Sequence, residues 1–111
     1  MIYLIREKST KVQTDEMLQV LGVYIKLAVD IDRGILAGGG EFHADCESAL
    51  LEDGSEQQNV WGADWYPDAQ EVTYESLINI RPSQNNRSME IQDVAIREKV
   101  EQIVRELLGD L

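Results

Sequence analysis

The sequence predicts an α+β fold: an N-terminal strand and helix, a four-stranded antiparallel meander, and a C-terminal amphipathic helix. Three observations predict it. Segments at 23–32, 41–51, 56–65 and 72–80 each alternate apolar and polar residues, the period of a half-buried strand. Turn signals separate the later ones, Asp53-Gly54 and Pro67-Asp68. From Ile96 onward, Val100, Ile103, Val104, Leu107, Leu108 and Leu111 recur at spacings of three and four, the apolar stripe of a helix.

Taken in order, residues 1–6 read as a short strand through Met1, Ile2, Tyr3, Leu4 and Ile5. Thr10 with Gln13 three residues later has capping-box form and opens a helix. Met17, Leu18 and Leu21 give that helix an apolar face, and Gly22 stops it. In 23–32, Val23, Ile25, Leu27, Val29 and Ile31 share one face, against Tyr24, Lys26, Ala28, Asp30 and Asp32. Residues 33–40, ending in Gly38-Gly39-Gly40, read as a loop or a short extra strand. In 41–51, Phe42, Ala44, Cys46, Ser48 and Leu50 oppose Glu41, His43, Asp45 and Glu47. A two-residue hairpin at Asp53-Gly54 then pairs Cys46 with Trp61, Ala44 with Ala63 and Phe42 with Trp65, which keeps apolar faces together, as the pleat demands. The same parity holds for Trp65 with Val72 and for Ile31 with Phe42. Residues 82–90 form a polar loop, and Asp93 caps the last helix, which Gly109 ends. One face of the meander is expected to be covered by both helices. The whole chain, 1–111, is expected to form a single domain, as its length suggests.

The formal net charge is −11, and it is localised. Residues 41–80 hold ten acidic side chains and no Lys or Arg, whereas residues 1–40 hold five of each sign. The acidic block also carries Phe42, Leu50, Trp61, Trp65, Tyr74 and Ile78, so it must fold with its acids on a surface. Alternation puts Lys26, Asp30, Asp32, His43, Asp45, Glu47, Asp64 and Glu75 on one sheet face. The first expectation is therefore a binding or self-assembly module that offers an acidic sheet face to a basic protein partner or to a second copy of itself. The alternative is a small divalent-metal-dependent hydrolase using His43, Asp45 and Asp30, with oxygen ligands, one imidazole and a metal-bound water. The chain has one His and no established metal-binding spacing. No cofactor is implied. A third candidate is the amide-rich loop: Arg81, Asn85, Asn86 and Arg87 are placed to meet an anionic ligand or an acidic partner.

Other classes are disfavoured. An excess of acid opposes nucleic-acid binding, which needs a basic stripe. No apolar run approaches the roughly 20 residues of a membrane span. The charged residues Arg6, Glu7 and Lys8 cut short any leader-like apolar start. The lone Cys46 fits a reducing cytoplasm. It alternates onto the apolar face, away from His43, which argues against a Cys–His catalytic pair. Gly38-Gly39-Gly40 lacks the Lys-Ser/Thr ending and the following helix of a phosphate-binding loop.

Five runs, Ile25–Ile31, Leu36–Glu47, Leu50–Ser55, Trp61–Trp65 and Ser76–Glu90, together resemble a small prokaryotic family known only as a domain of unknown function. They cover about half of the chain. The resemblance implies a stand-alone cytoplasmic protein, and it brings no activity, cofactor or catalytic residue.

Overall fold

The backbone order is strand β1 (Tyr3–Ile5), helix α1 (Lys11–Gln19), strands β2 (Ile25–Asp30) and β3 (Ile35–Gly38), helix α2 (His43–Glu52), strands β4 (Val60–Tyr66) and β5 (Glu71–Thr73), and helix α3 (Val94–Leu108). The computed structural model describes residues 1–110; Leu111, the last member expected of the apolar stripe, lies outside the described residues. The fold is α+β, as the patterning predicts. The strands form one five-stranded sheet in the order β1-β3-β2-β4-β5, with every neighbouring pair antiparallel.

Several local signals act as expected. Thr10 and Gln13 form the capping box, each side chain bonded to the other residue's backbone N–H. Asp93 caps α3 by accepting from the Ala95 N–H at 2.8 Å. Trp65 pairs with Val72 across the Pro67-Asp68 turn. The segment after Arg33 is the short extra strand, β3, beside β2.

The main departure is at residues 41–51, expected as a strand, where His43–Glu52 form α2 instead. Cys46 and Leu50, both fully buried, lie four residues apart, so one helical stripe serves as well as one strand face. Ala, Leu and Glu dominate the segment, and these residues favour helix over strand. Asp53-Gly54 is correspondingly not a hairpin. Asp53 is the C-cap of α2; Gly54 has φ of +102°, and the Ser55 N–H returns to the Leu50 carbonyl at 3.0 Å. The pairing expected for Ile31 with Phe42, and for Cys46 with Trp61, is replaced by Val29 with Leu36 on one side of β2 and with Trp61 on the other.

The second departure is that the sheet is covered on both faces. Ile25, Leu27, Val29, Trp61, Ala63 and Trp65 pack with Met17 of α1 and with Val100, Val104 and Leu108 of α3. Ala28, Ile35, Ala37 and Val60 pack on the other face with Cys46 and Leu50 of α2. Topology gives the reason. β1 and β2 run parallel with β3 between them, joined through α1, and β3 and β4 run parallel with β2 between them, joined through α2. The two crossovers run in opposite strand directions, so crossovers of the same hand must place their helices on opposite faces.

One polar cluster ties the far end together. Asp53 Oδ1 accepts from Arg6 at 2.6 Å and Oδ2 accepts from Arg33 at 2.8 Å. The hydrogen bond from Arg6, then that from Arg33, holds the Asp53 carboxyl at about 2, against its usual 3.8. A carboxyl depressed on folding contributes stability above its unfolded value and loses it as pH falls through the folded one. Urea midpoints of the native chain are therefore expected to drop between about pH 4 and pH 2, more steeply than those of an Asp53→Asn variant. Parallel pH profiles for the two proteins would count against this role.

Candidate binding groove and the loop that builds it

β5 pairs with β4 only from Asp64 to Tyr66, so the edge of β4 at Val60–Gly62 has no strand beside it. The segment 74–91 fills that place with side chains. It is a folded-back loop: the Ser76 N–H donates to the Met89 carbonyl at 2.9 Å, and the Ile91 N–H to the Tyr74 carbonyl at 3.0 Å. Within it, Arg81 and Asn86 exchange both backbone hydrogen bonds.

Asn79, fully buried, mimics the missing strand. Its Oδ1 accepts from the Gly62 N–H at 2.8 Å, and its Nδ2 donates to the carbonyls of Gly62 (3.0 Å), Met89 (3.1 Å) and Tyr74 (3.3 Å). Gly62 must be glycine for this approach, since a Cβ there would stand 2.5 Å from the Ser76 Cβ. Asn86 holds the loop's other end. Its Nδ2 donates to the carbonyls of Asn79, Ser88 and Glu90, and its Oδ1 accepts from the Gln92 N–H at 2.8 Å.

Arg81 is buried rather than presented. It donates to the carbonyls of Ile78 (2.9 Å), Gln57 (2.8 Å) and Val60, lies 4.5 Å over the Trp61 ring, and has Glu47 at 3.5 Å. Burial lowers its pKa, while the Glu47 charge works the other way. Arg81 and Asn86, expected as ligand contacts, thus spend their hydrogen-bonding groups on the fold. Asn85, in the left-handed region at φ +60°, and Arg87 remain at the surface.

The expected acidic sheet face is not formed, because α2 covers that face. His43, Asp45 and Glu47 are carried on α2 itself: Asp45 is exposed and Glu47 turns to Arg81. Asp30 is 1% exposed, and its Oδ1 accepts from the N–H groups of Asp32 and Arg33, shaping the β2–β3 turn on which Asp32 is exposed. His43, Asp45 and Asp30 do not converge; among the described residues no group of three or more His, Cys, Asp or Glu side chains is placed to hold a metal ion. Cys46 is buried under α2, and that burial raises its thiol to about 11, unsuited to nucleophilic work. Gly39, at φ +96°, packs so closely that a Cβ would lie 2.6 Å from the Met1 carbonyl. The triplet is a packing point, with no phosphate-cradle geometry.

A groove of about 340 Å³ does form, between the start of α2 and the 74–91 loop. Phe42, Leu77, Ile78 and Met89 give it apolar walls, and Lys26, His43 and Glu75 its polar edges. Phe42 is 62% exposed and Leu77 72%, unusual for two such apolar side chains lining one groove, and Ile80 of the same loop is 45% exposed. Glu75 lines the groove and is exposed; Glu90, its partner in a backbone bridge, and Glu41 and Asp45, near Phe42 in sequence, are exposed as well. Lys26, the one cation there, donates to the Glu41 carbonyl at 2.9 Å and lies 5.4 Å from the Phe42 ring centroid.

His43 is the groove's best-held polar group. Its Nε2 lies 2.8 Å from Asp64 Oδ1 and 3.2 Å from the Ala63 carbonyl, and Thr73 Oγ1 donates to Asp64 Oδ2 at 3.2 Å. Sequence reasoning placed His43 and Asp64 on one face but did not pair them. It missed Phe42, Leu77 and Met89. The available signal was Leu77, an apolar residue on the polar side of the 72–80 alternation.

A family model described as "Protein of unknown function (DUF5674)" matches residues 3–107. The chain belongs to that family. The DUF5674 match takes in every strand, α1 and α2, the groove-building loop and nearly all of α3. No curated protein and no solved structure matches this DUF5674 chain. Among the described residues, no helix is long and apolar enough to cross a membrane.

Proposed function

We propose that the chain is a binding module that takes a basic protein segment in the groove between α2 and the 74–91 loop. The observation that carries this reading is the exposure of Phe42, Leu77 and Met89 around one concavity that Glu75 lines, with the exposed Glu41, Asp45 and Glu90 next in sequence to its lining residues. Apolar walls favour an apolar anchor. The acidic surround favours a cationic partner over a second copy, because two such grooves face to face would oppose like charges. Self-assembly through this site is correspondingly disfavoured.

A fluorescein-labelled peptide, Gly-Lys-Leu-Lys-Leu-Lys-Gly, serves as the probe in an anisotropy titration. Leu77→Ser changes no charge, so it separates the apolar seat from bulk attraction. Losing one buried leucine contact of about 1.5–3 kcal/mol should weaken binding roughly tenfold or more. Added salt should weaken both proteins' binding. Equal affinity for the native chain and the Leu77→Ser variant would remove the groove as the seat.

A further inference from the structure

The histidine in the groove wall carries more information than its position. His43 Nε2 faces two acceptors, a carboxylate oxygen of Asp64 and the carbonyl of Ala63. In the neutral imidazole the proton must then sit on Nε2, since the other tautomer would turn a lone pair toward both oxygens. Nδ1 is left as the acceptor, and it has no hydrogen-bond partner among the described residues. Thr73 steadies Asp64 from behind, so the ring is held at its Nε2 edge, and the side chain, 13% exposed, lines the groove.

The groups around the ring set what it can receive. From β4 comes Asp64, from β2 Lys26 and from the 74–91 loop Glu75, while Glu41 and Asp45 stand exposed two positions to either side of His43 in the chain. Lys26 is already engaged with the Glu41 carbonyl and the Phe42 ring. The remaining charges are negative. A lone pair in an acidic, partly apolar groove suits a cationic N–H donor at the end of an apolar stem, the chemistry of lysine and arginine side chains.

We propose that the groove seats a lysine or arginine side chain of the partner, its stem against Phe42 and Leu77 and its cationic N–H donating to His43 Nδ1. This rests on the groove being the binding site, and it names what that site reads.

The chain has a single histidine, so its imidazole nitrogens are unambiguous in long-range proton–nitrogen correlation spectra. Spectra at about pH 8.5, above the ordinary imidazole range, should show the Nε2–H form before any peptide is added. Two probes are then titrated: the peptide above, and the same peptide with its central lysine replaced by norleucine, which keeps the stem and lacks the ammonium. The lysine peptide should move the Nδ1 resonance and bind roughly tenfold tighter than the norleucine peptide, as for one charge-assisted hydrogen bond. In His43→Phe that preference should collapse while the norleucine peptide still binds. Equal affinity of both peptides for the native chain would overturn the inference and leave the groove reading standing. So would a preference that persists undiminished in His43→Phe, or an Nδ1–H form in the free chain. Failure of both peptides to bind would overturn the groove reading and the inference together.

Discussion

Replacing Asn79 with alanine is expected to cost about 3–5 kcal/mol of stability, although the residue touches no other side chain's charge. Four hydrogen bonds end on this one amide. Two of them satisfy the N–H and the carbonyl of Gly62, which is buried where Ser76 leaves no room for a substitute strand. A buried polar group left unpaired costs about 1–3 kcal/mol, so two at Gly62 already account for most of the effect. Asn79→Asp is expected to be no milder. It keeps an acceptor for the Gly62 N–H but turns a second oxygen toward three carbonyls, one of which, that of Gly62, has no other donor. Urea unfolding of the two variants measures this. A loss below about 1 kcal/mol in both would mean that the loop does not complete the β4 edge.

Arg81 supplies the second large effect. Arg81→Ala is expected to destabilise by about 3–5 kcal/mol, the range for removing one partner of a buried ion pair. Here the loss would leave Glu47 without its cation and the carbonyls of Ile78 and Val60 without their donor, while the Gln57 carbonyl keeps only the Val60 N–H. Arg81→Lys should recover little, because one ammonium cannot span three carbonyls that a planar guanidinium bridges while also sitting 4.5 Å over the Trp61 ring. Thermal or urea unfolding would show the two variants close together and far below the native chain. A lysine variant of near-native stability would show instead that Arg81 acts through charge alone.

These two residues also show what was legible in the sequence. Alternation in 23–32 and 56–65 places the inward faces of β2 and β4 correctly, because the period of a strand is a local property. The caps at Thr10 and Asp93 are equally local. Residues 41–51 were ambiguous for a physical reason: Cys46 and Leu50 share a face at strand spacing and at helix spacing alike. Read as a strand, they made Asp53-Gly54 a hairpin and put His43, Asp45 and Glu47 on a sheet face. Read as a helix, they close over that face and leave Asp30 and Asp64 buried beneath polar contacts. The loop 82–88 was visible as amide-rich, and its Arg and Asn residues stood out as candidate contacts. That Arg81 and Asn86 turn inward depends on an unpaired stretch of β4, which only the three-dimensional pairing reveals. The groove itself joins residues more than thirty positions apart, Phe42 and Leu77, and no local periodicity encodes such a meeting.

The interleaving of the two crossovers has a consequence for synthesis. As the chain leaves the ribosome, β1, β2 and β3 are complete well before β4. In that interval β2 is an outer strand six residues long, its backbone unpaired on one side until Val60–Tyr66 arrives. Ile25, Leu27 and Val29 line one of its faces, and only Lys26 and Asp30 carry charge. A free, apolar strand edge invites pairing with another nascent chain. Six acidic residues, Glu41, Asp45, Glu47, Glu52, Asp53 and Glu56, emerge between β3 and β4. Their shared negative charge would hold neighbouring nascent chains apart during the stage when the sheet is open, before Asp53 and Glu47 take up their cations in the finished fold.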